Sequence, residues 1–130
     1  MTAPPEVAAV TRLIDQDRVS AYSAAANDPN PIHTDTDFAA TTDFGRPIAH
    51  GMLVLALVSE AMSATFGERW AASGALKVRW RAPAIQPVEV TATAEPRGFE
   101  DGVASYAVQC ATGDGETLLT GTASVRVDGA

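Results

Sequence analysis

The segment Gly51-Met52-Leu53-Val54-Leu55-Ala56-Leu57-Val58-Ser59-Glu60-Ala61-Met62-Ser63-Ala64-Thr65-Phe66 decides the fold of this chain. Its first half carries apolar side chains on nearly every side of a helix, so we expect burial all round, inside a sheet that wraps it. Gly67 follows as a C-terminal stop. A helix of this length measures roughly 22 Å. The segment therefore predicts one long central helix.

Short segments with a period of two follow this helix. Leu76, Val78 and Trp80 alternate with charged residues in the first of them, which predicts that Trp80 lies in the core. Helical segments followed by strands of similar length are typical of an α+β fold, here one antiparallel sheet around the helix. Free sheet edges also favour pairing with a second copy. We predict strands over 75–81, 88–94, 102–111 and 117–127, with turns at 96–98, 100–102 and 113–115.

The residues before the central helix predict smaller elements. Residues 7–14 alternate weakly and are predicted to form an edge strand. Asp15 then caps a helix. The proline-rich run 27–31 must end that helix, because proline lacks a backbone donor and disfavours a helical residue before it. Residues 36–42 predict one more short helical piece.

Length and composition place the chain in one class. The 130 residues suffice for one domain, over 1–130, with 46% apolar and 19% charged residues. A net charge of -7 argues against nucleic-acid or anionic-membrane partners. The single Cys110 excludes an intrachain disulfide and is expected to be a buried, inert thiol. The first residues lack a signal peptide pattern, and a cytoplasmic location is expected.

The polar run Asn27-Asp28-Pro29-Asn30-Pro31-Ile32-His33 holds the first candidates for chemistry. Its prolines stiffen the loop, and Asn30 can hydrogen-bond locally to hold its shape. Asp28 and His33, five residues apart, could then share a water or a substrate proton as an acid/base pair. The alternative is that Asp28 only belongs to a turn and His33 only caps the next segment.

His50 and Gly51 form the second candidate pair. The Gly51 amide would lie at the positive end of the long helix, where it could stabilise an oxyanion. The alternative is that Gly51 only allows tight packing, and His50 is expected to hold the loop. The spacing of Asp28, His33 and His50 matches no zinc or iron motif, so no metal is predicted.

Ser59 and a set of basic residues each have a functional and a purely structural interpretation. Ser59 lies two turns after Gly51, where it could steady Asp28 or a ligand, or simply be a helix serine. Lys77, Arg79 and Arg81 share one face of a strand. That face is either solvated or a patch for the phosphates of a ligand.

The two motifs together resemble the signature of the MaoC-like, (R)-specific enoyl-CoA hydratases. The resemblance is carried by Asp28-x-Asn30-Pro31-Ile32-His33 followed by Phe44-Gly45-Arg46-Pro47-Ile48-Ala49-His50-Gly51-Met52-Leu53. It covers most of the chain and is closest over residues 19–59. It departs from many relatives at Asn27, where they have glycine, and at residues 86–89, where they have a Gly-Asp turn.

The resemblance implies a hot-dog fold, usually paired as a homodimer. It implies hydration of trans-2-enoyl thioesters to (R)-3-hydroxyacyl thioesters, or the reverse. Asp28 and His33 would be the catalytic dyad and Gly51 the oxyanion-stabilising amide, with Asn30, His50 and Ser59 in supporting roles. No metal or redox cofactor is implied, and coenzyme A or a carrier-borne pantetheine would be part of the substrate.

Two other functions remain open at this point. Hot-dog proteins also hydrolyse thioesters, which would need a carboxylate such as Glu60 near the carbonyl. A non-catalytic subunit of a heteromeric dehydratase is the other, although such a subunit has no need for both Asp28 and His33.

Overall fold

The protein is described by a computed structural model over residues 3–128, so two residues at each end of the predicted 1–130 domain lie outside the described part. In chain order the elements are β1 (Val10–Ile14), α1 (Gln16–Ala26), α2 (Thr36–Ala40), α3 (Gly51–Phe66), α4 (Glu68–Ser73), β2 (Ala75–Trp80), β3 (Val88–Glu100), β4 (Val103–Thr112) and β5 (Thr117–Arg126). The strands pair antiparallel in the order β1-β3-β4-β5-β2. This confirms the α+β class.

The central helix α3 begins and ends where the sequence predicts, and Gly67 follows it. It packs against β1, β3 and β4. The ring of Phe66 meets that of Tyr106 on β4 edge to face, 5.9 Å between centroids. The expectation of burial all round is wrong for Met52, which is 54% exposed. The sheet covers one side of the helix, and Met52 points away from it.

Three other expectations differ from the structure. Helix α4 was not predicted; its six residues are anchored by the buried Trp70. The predicted turn at 96–98 is instead a β-bulge, because β3 continues its ladder with β4 after a register shift between Pro96 and Gly98. Trp80 is not in the core but 48% exposed, since it is the last residue of β2, an edge strand.

The remaining elements agree with the sequence. β1 lies at the other edge of the sheet, and the Asp15 side chain accepts a hydrogen bond from the Arg18 amide at 3.0 Å to cap α1. The turns at 100–102 and 113–115 join β3 to β4 and β4 to β5. No helix within residues 3–128 is long and apolar enough to cross a membrane.

Candidate active site

Asp28 is placed by the end of α1. Asn27 adopts the left-handed conformation, φ 53°, and so turns the chain out of the helix. The Asp28 amide then donates to the Ser23 carbonyl at 3.0 Å, and the Ser23 hydroxyl donates to the Asp28 carbonyl. The backbone of Asp28 is thus fixed to α1, while its side chain is 48% exposed.

The loop from Asp28 to His33 holds its own shape. The Asn30 side-chain oxygen accepts from the Ile32 amide at 3.1 Å, which is the local hydrogen bond expected of it. The His33 amide donates to the Asn30 carbonyl at 3.2 Å. One oxygen of Asp28 receives only a long contact from the Asn30 amide, 3.4 Å. The loop therefore fixes His33 more firmly than the Asp28 carboxylate.

Two hydrogen bonds, here called the clasp, join this loop to the second motif. The Ile48 amide donates to the Ile32 carbonyl at 3.1 Å, and His33 Nδ1 lies 2.8 Å from the Ile48 carbonyl. Because a carbonyl only accepts, this contact assigns the proton of a neutral His33 to Nδ1. Nε2 of His33 is therefore the ring nitrogen that could exchange a proton with a substrate.

Gly51 begins α3 directly after the second motif. The Ala49 amide donates to the Ala84 carbonyl at 2.8 Å, which pins the approach to the helix. Within residues 3–128 the Gly51 N–H takes part in none of the described hydrogen bonds, as expected of a first helical residue. It is therefore available to an acceptor outside the chain.

Trp80 explains why position 51 is a glycine. The indole Nε1 of Trp80 donates to the Gly51 carbonyl at 3.1 Å, and a Cβ at position 51 would lie 2.8 Å from that nitrogen. The packing interpretation of Gly51 thus has direct geometric support. It does not compete with an oxyanion role, since packing uses the carbonyl side and leaves the N–H available.

His50 lies between the other two side chains. Its ring stacks on that of His33 with centroids 3.6 Å apart and planes 23° apart. Its Nε2 is 3.8 Å from Oδ2 of Asp28, and only 2% of the residue is exposed. Burial and the neighbouring charge of His33 lower the pKa of His50, against an opposing effect of Asp28. The fold therefore brings Asp28, His33 and His50 together.

The same three side chains also form a possible donor set for a cation. Each offers one atom within 4.8 Å of the others, although their sequence spacing matches no metal motif. Imidazole and carboxylate are donors that several divalent metals accept. We assign no metal here, and a metal-free site stays a prediction.

Ser59 and Glu60 have partners away from the dyad. The Ser59 hydroxyl accepts from the indole N–H of Trp70 at 2.8 Å, which ties α3 to α4. Glu60 forms an ion pair with Arg12 of β1. A carboxylate held by Arg12 on this part of α3 is poorly placed for thioester hydrolysis at the start of the helix.

Several residues that build the site are not among those predicted from the sequence. The His33 carbonyl accepts from the side-chain amides of Gln16 at 3.1 Å and Gln86 at 3.3 Å. The Tyr22 ring lies 4.8 Å from that of His50. The exposed Trp80 covers the start of α3. None of these contacts follows from a sequence motif, because each joins distant parts of the chain.

Comparisons with known proteins show similarity to one protein family. Residues 3–116 match the model of the MaoC like domain. The chain is similar to an (R)-specific enoyl-CoA hydratase of Aeromonas caviae, 33% identical over 115 residues, which cover 84% of this chain and 83% of that protein. It is also similar to 3-hydroxyacyl-thioester dehydratase Z of Mycobacterium tuberculosis, 33% identical over 120 residues, which cover 89% of this chain and 73% of that protein.

A solved structure shows the same likeness in three dimensions. The (R)-hydratase from A. caviae involved in PHA biosynthesis superposes with a TM-score of 0.83 at 28% identity, covering 98% of this chain and 97% of that one.

Proposed function

This chain belongs to the MaoC-like domain family, and we propose from that premise that it hydrates trans-2-enoyl thioesters to (R)-3-hydroxyacyl thioesters, or catalyses the reverse dehydration. It is an enzyme of the hydratase and dehydratase class. The observation that carries the proposal is the clasp, which holds His33 close to the start of α3, with an oxygen of Asp28 within 4.8 Å of the His33 ring. An acid/base pair then lies close to a helix N-terminal amide.

The reaction adds the elements of water across a carbon–carbon double bond. The oxygen of water bonds to the β-carbon, the π electrons move toward the thioester carbonyl, and a proton is delivered to the α-carbon. No electron is lost or gained, so the chemistry requires neither oxidant nor reductant. It requires a base for the water, an acid for the α-carbon and a donor for the developing enolate oxygen.

We assign Asp28 to the water and His33 to the α-carbon. The half-exposed Asp28 carboxylate takes the proton of the attacking water. The protonated ring of His33 keeps its Nδ1–H on the Ile48 carbonyl and donates from Nε2. A proton passed from Asp28 back to His33 restores the starting state. Dehydration runs through the same groups in reverse.

Gly51 supplies the donor for the enolate oxygen. Its N–H lies at the first position of a 16-residue helix, where the backbone dipoles favour negative charge. A single donor of this kind is typically worth on the order of 2.7–4 kcal/mol in acyl-transfer enzymes.

The substrate class is an acyl thioester of coenzyme A or of a carrier-borne pantetheine. Lys77, Arg79 and Arg81 line a surface cavity of about 350 Å³ beside β2, with Thr120 of β5 among its other residues. The Arg81 Nε donates to the Thr120 hydroxyl at 3.0 Å. We propose this basic strand as the contact for the phosphates of the carrier moiety.

We also propose that the protein forms a homodimer. β1 and β2 are edge strands. Large apolar side chains near the start of α3 are also exposed, Met52 at 54% and Trp80 at 48%. A second copy would cover both features. Sedimentation velocity should therefore give twice the mass of one chain. The expected cytoplasmic location stays a prediction.

The test of the proposal is loss of the enoyl-thioester absorbance with crotonyl-CoA and longer enoyl-CoAs. We expect the band to disappear without release of free thiol, and chiral analysis to give the (R)-3-hydroxyacyl product. Asp28→Asn and His33→Gln should each lower kcat by about 10²-fold or more with folding intact. Near-normal turnover in either variant would contradict the proposal, and release of free thiol would indicate hydrolysis instead.

A further inference from the structure

We propose that His50 is a positioning residue for Asp28: in the substrate complex its Nε2–H donates a hydrogen bond to the Asp28 carboxylate and fixes the oxygen that faces water. This inference deepens the proposed function and rests on it.

His50 is buried to an unusual degree for a histidine. The residue is 2% exposed, and neither ring nitrogen has a hydrogen-bond partner within the described residues. Leaving buried polar groups unsatisfied costs about 1–3 kcal/mol each. An apolar side chain of similar size would fill this position without that cost. An imidazole there indicates that a nitrogen finds its partner in another state of the molecule.

The Asp28 carboxylate is the candidate partner. Its Oδ2 lies 3.8 Å from His50 Nε2, just beyond hydrogen-bond length. A movement of about 1 Å would close the gap to an ordinary hydrogen bond. Asp28 can make it, because its backbone is tied to Ser23 while its carboxylate holds only the long contact with the Asn30 amide.

The charge of the stacked pair decides which ring stays neutral. The groups that face His50 are the carboxylate and the backbone carbonyl of Asp28 and the rings of His33 and Tyr22. Two imidazolium rings stacked at 3.6 Å would repel each other, and burial disfavours a charge on His50 in particular. His50 is therefore the neutral ring of the pair, and His33 is the ring that donates a proton in the proposed reaction. A neutral His50 has one N–H to offer, and Nε2 is the nitrogen that faces the carboxylate.

The His50 ring would therefore have two separate functions. The face of His50 supports the plane of His33, and its edge orients Asp28. A carboxylate held through one oxygen presents the other in a fixed direction, which lowers the entropy cost of placing water for attack.

Matched substitutions separate the edge of the ring from its face. In His50→Gln the side-chain amide nitrogen takes nearly the place of Nε2, whereas in His50→Asn it takes nearly the place of Nδ1. His50→Phe keeps an aromatic face and removes both nitrogens. With crotonyl-CoA we expect the Gln variant to keep kcat within about tenfold of wild type. The Asn and Phe variants should lose about 10²-fold in kcat with KM changed less than about threefold.

Nitrogen-15 NMR of the histidine rings provides a readout that does not require replacing His50. In wild type with saturating butyryl-CoA, which has no double bond to hydrate, His50 should be neutral with its proton on Nε2. That proton should shift downfield when the ligand binds, and Asp28→Asn should reduce the shift. A Phe variant as active as wild type would overturn the inference, as would a His50 proton on Nδ1 in the complex.

Different results would refute the role of His50 and the proposed function. An active wild type together with an equally active Phe variant refutes the role of His50 alone. A wild type that hydrates no enoyl-CoA refutes the proposed function, and the role of His50 with it.

Discussion

Cys110 shows at the scale of one residue how burial controls reactivity. The side chain is fully buried on β4, with its sulfur 3.5 Å from the Val54 carbonyl of α3, and burial raises the pKa of the thiol to about 11. We expect a thiol-reactive dye at about pH 8 to modify the folded protein at least about 100-fold more slowly than the unfolded protein. The urea-unfolded chain is the control. Equal rates in both states would contradict the burial of this thiol.

Gly51 supports a second prediction at this scale. In Gly51→Ala the new methyl group meets the Trp80 indole and weakens its hydrogen bond to the carbonyl of residue 51. We expect kcat/KM to fall by about tenfold or more, because the displaced indole and the methyl group disturb the approach to the amide.

The control for Gly51→Ala is the same change in a Trp80→Phe background. The smaller ring gives the methyl group room, so the loss caused by Gly51→Ala should be smaller there. An equal loss in both backgrounds would show that Trp80 does not mediate the effect.

The residues of the site divide into those that the sequence could indicate and those that it could not. Asp28 and His33 stand in a proline-rich polar loop, and Gly51 precedes a strongly apolar helix, so local patterns mark all three. Ile48 acts through its carbonyl, which no side chain reveals. Trp80 reaches Gly51 from an edge strand 29 positions away. Such contacts depend on the fold as a whole.

At the scale of an element, the end of α1 carries the third prediction. Asn27 is left-handed at φ 53°, a conformation that costs other non-glycine residues about 1–2 kcal/mol. Asn27→Ala should therefore lower the free energy of unfolding by about 1 kcal/mol, whereas Asn27→Gly should stay close to wild type. Urea denaturation measures both. An alanine variant as stable as the glycine variant would show that this cap does not limit stability.

The sequence predicts a helix or strand well where residues at its ends mark the start or the stop. The bounds of α3 follow from its apolar run and Gly67, and Asp15 marks the start of α1. Helix α4 has only six residues and no side-chain cap, so its sequence lacks a start signal. The residues around Pro96 predict a turn, because the continuation of the strand depends on its pairing with β4, which the local sequence does not show.

At the scale of the whole molecule, His50 makes stability depend on pH. The pKa of His50 in the folded protein lies below its ordinary value of 6.5, so below that pH the unfolded chain binds a proton that the folded protein resists. Stability is therefore unaffected by this group above about pH 6.5 and falls as the pH decreases further.

The fourth prediction uses this pH dependence. Between about pH 7 and pH 5 the Tm of wild type should fall more than that of His50→Phe, since the variant lacks the titrating ring. Titratable groups that do not contact His50 cancel in the comparison. Thermal melting at both pH values measures the difference, and parallel decreases in Tm would contradict the assignment.

The clasp has a consequence for how such a protein can diversify. It joins Ile32 and His33 directly to Ile48, so the chain from residue 34 to residue 47 leaves and returns at a fixed pair of points. Lengthening a loop between fixed ends costs little, only about 0.6 kcal/mol for each doubling. Insertions or exchanged segments in this stretch can therefore be accommodated while His33 and Ile48 keep their mutual geometry.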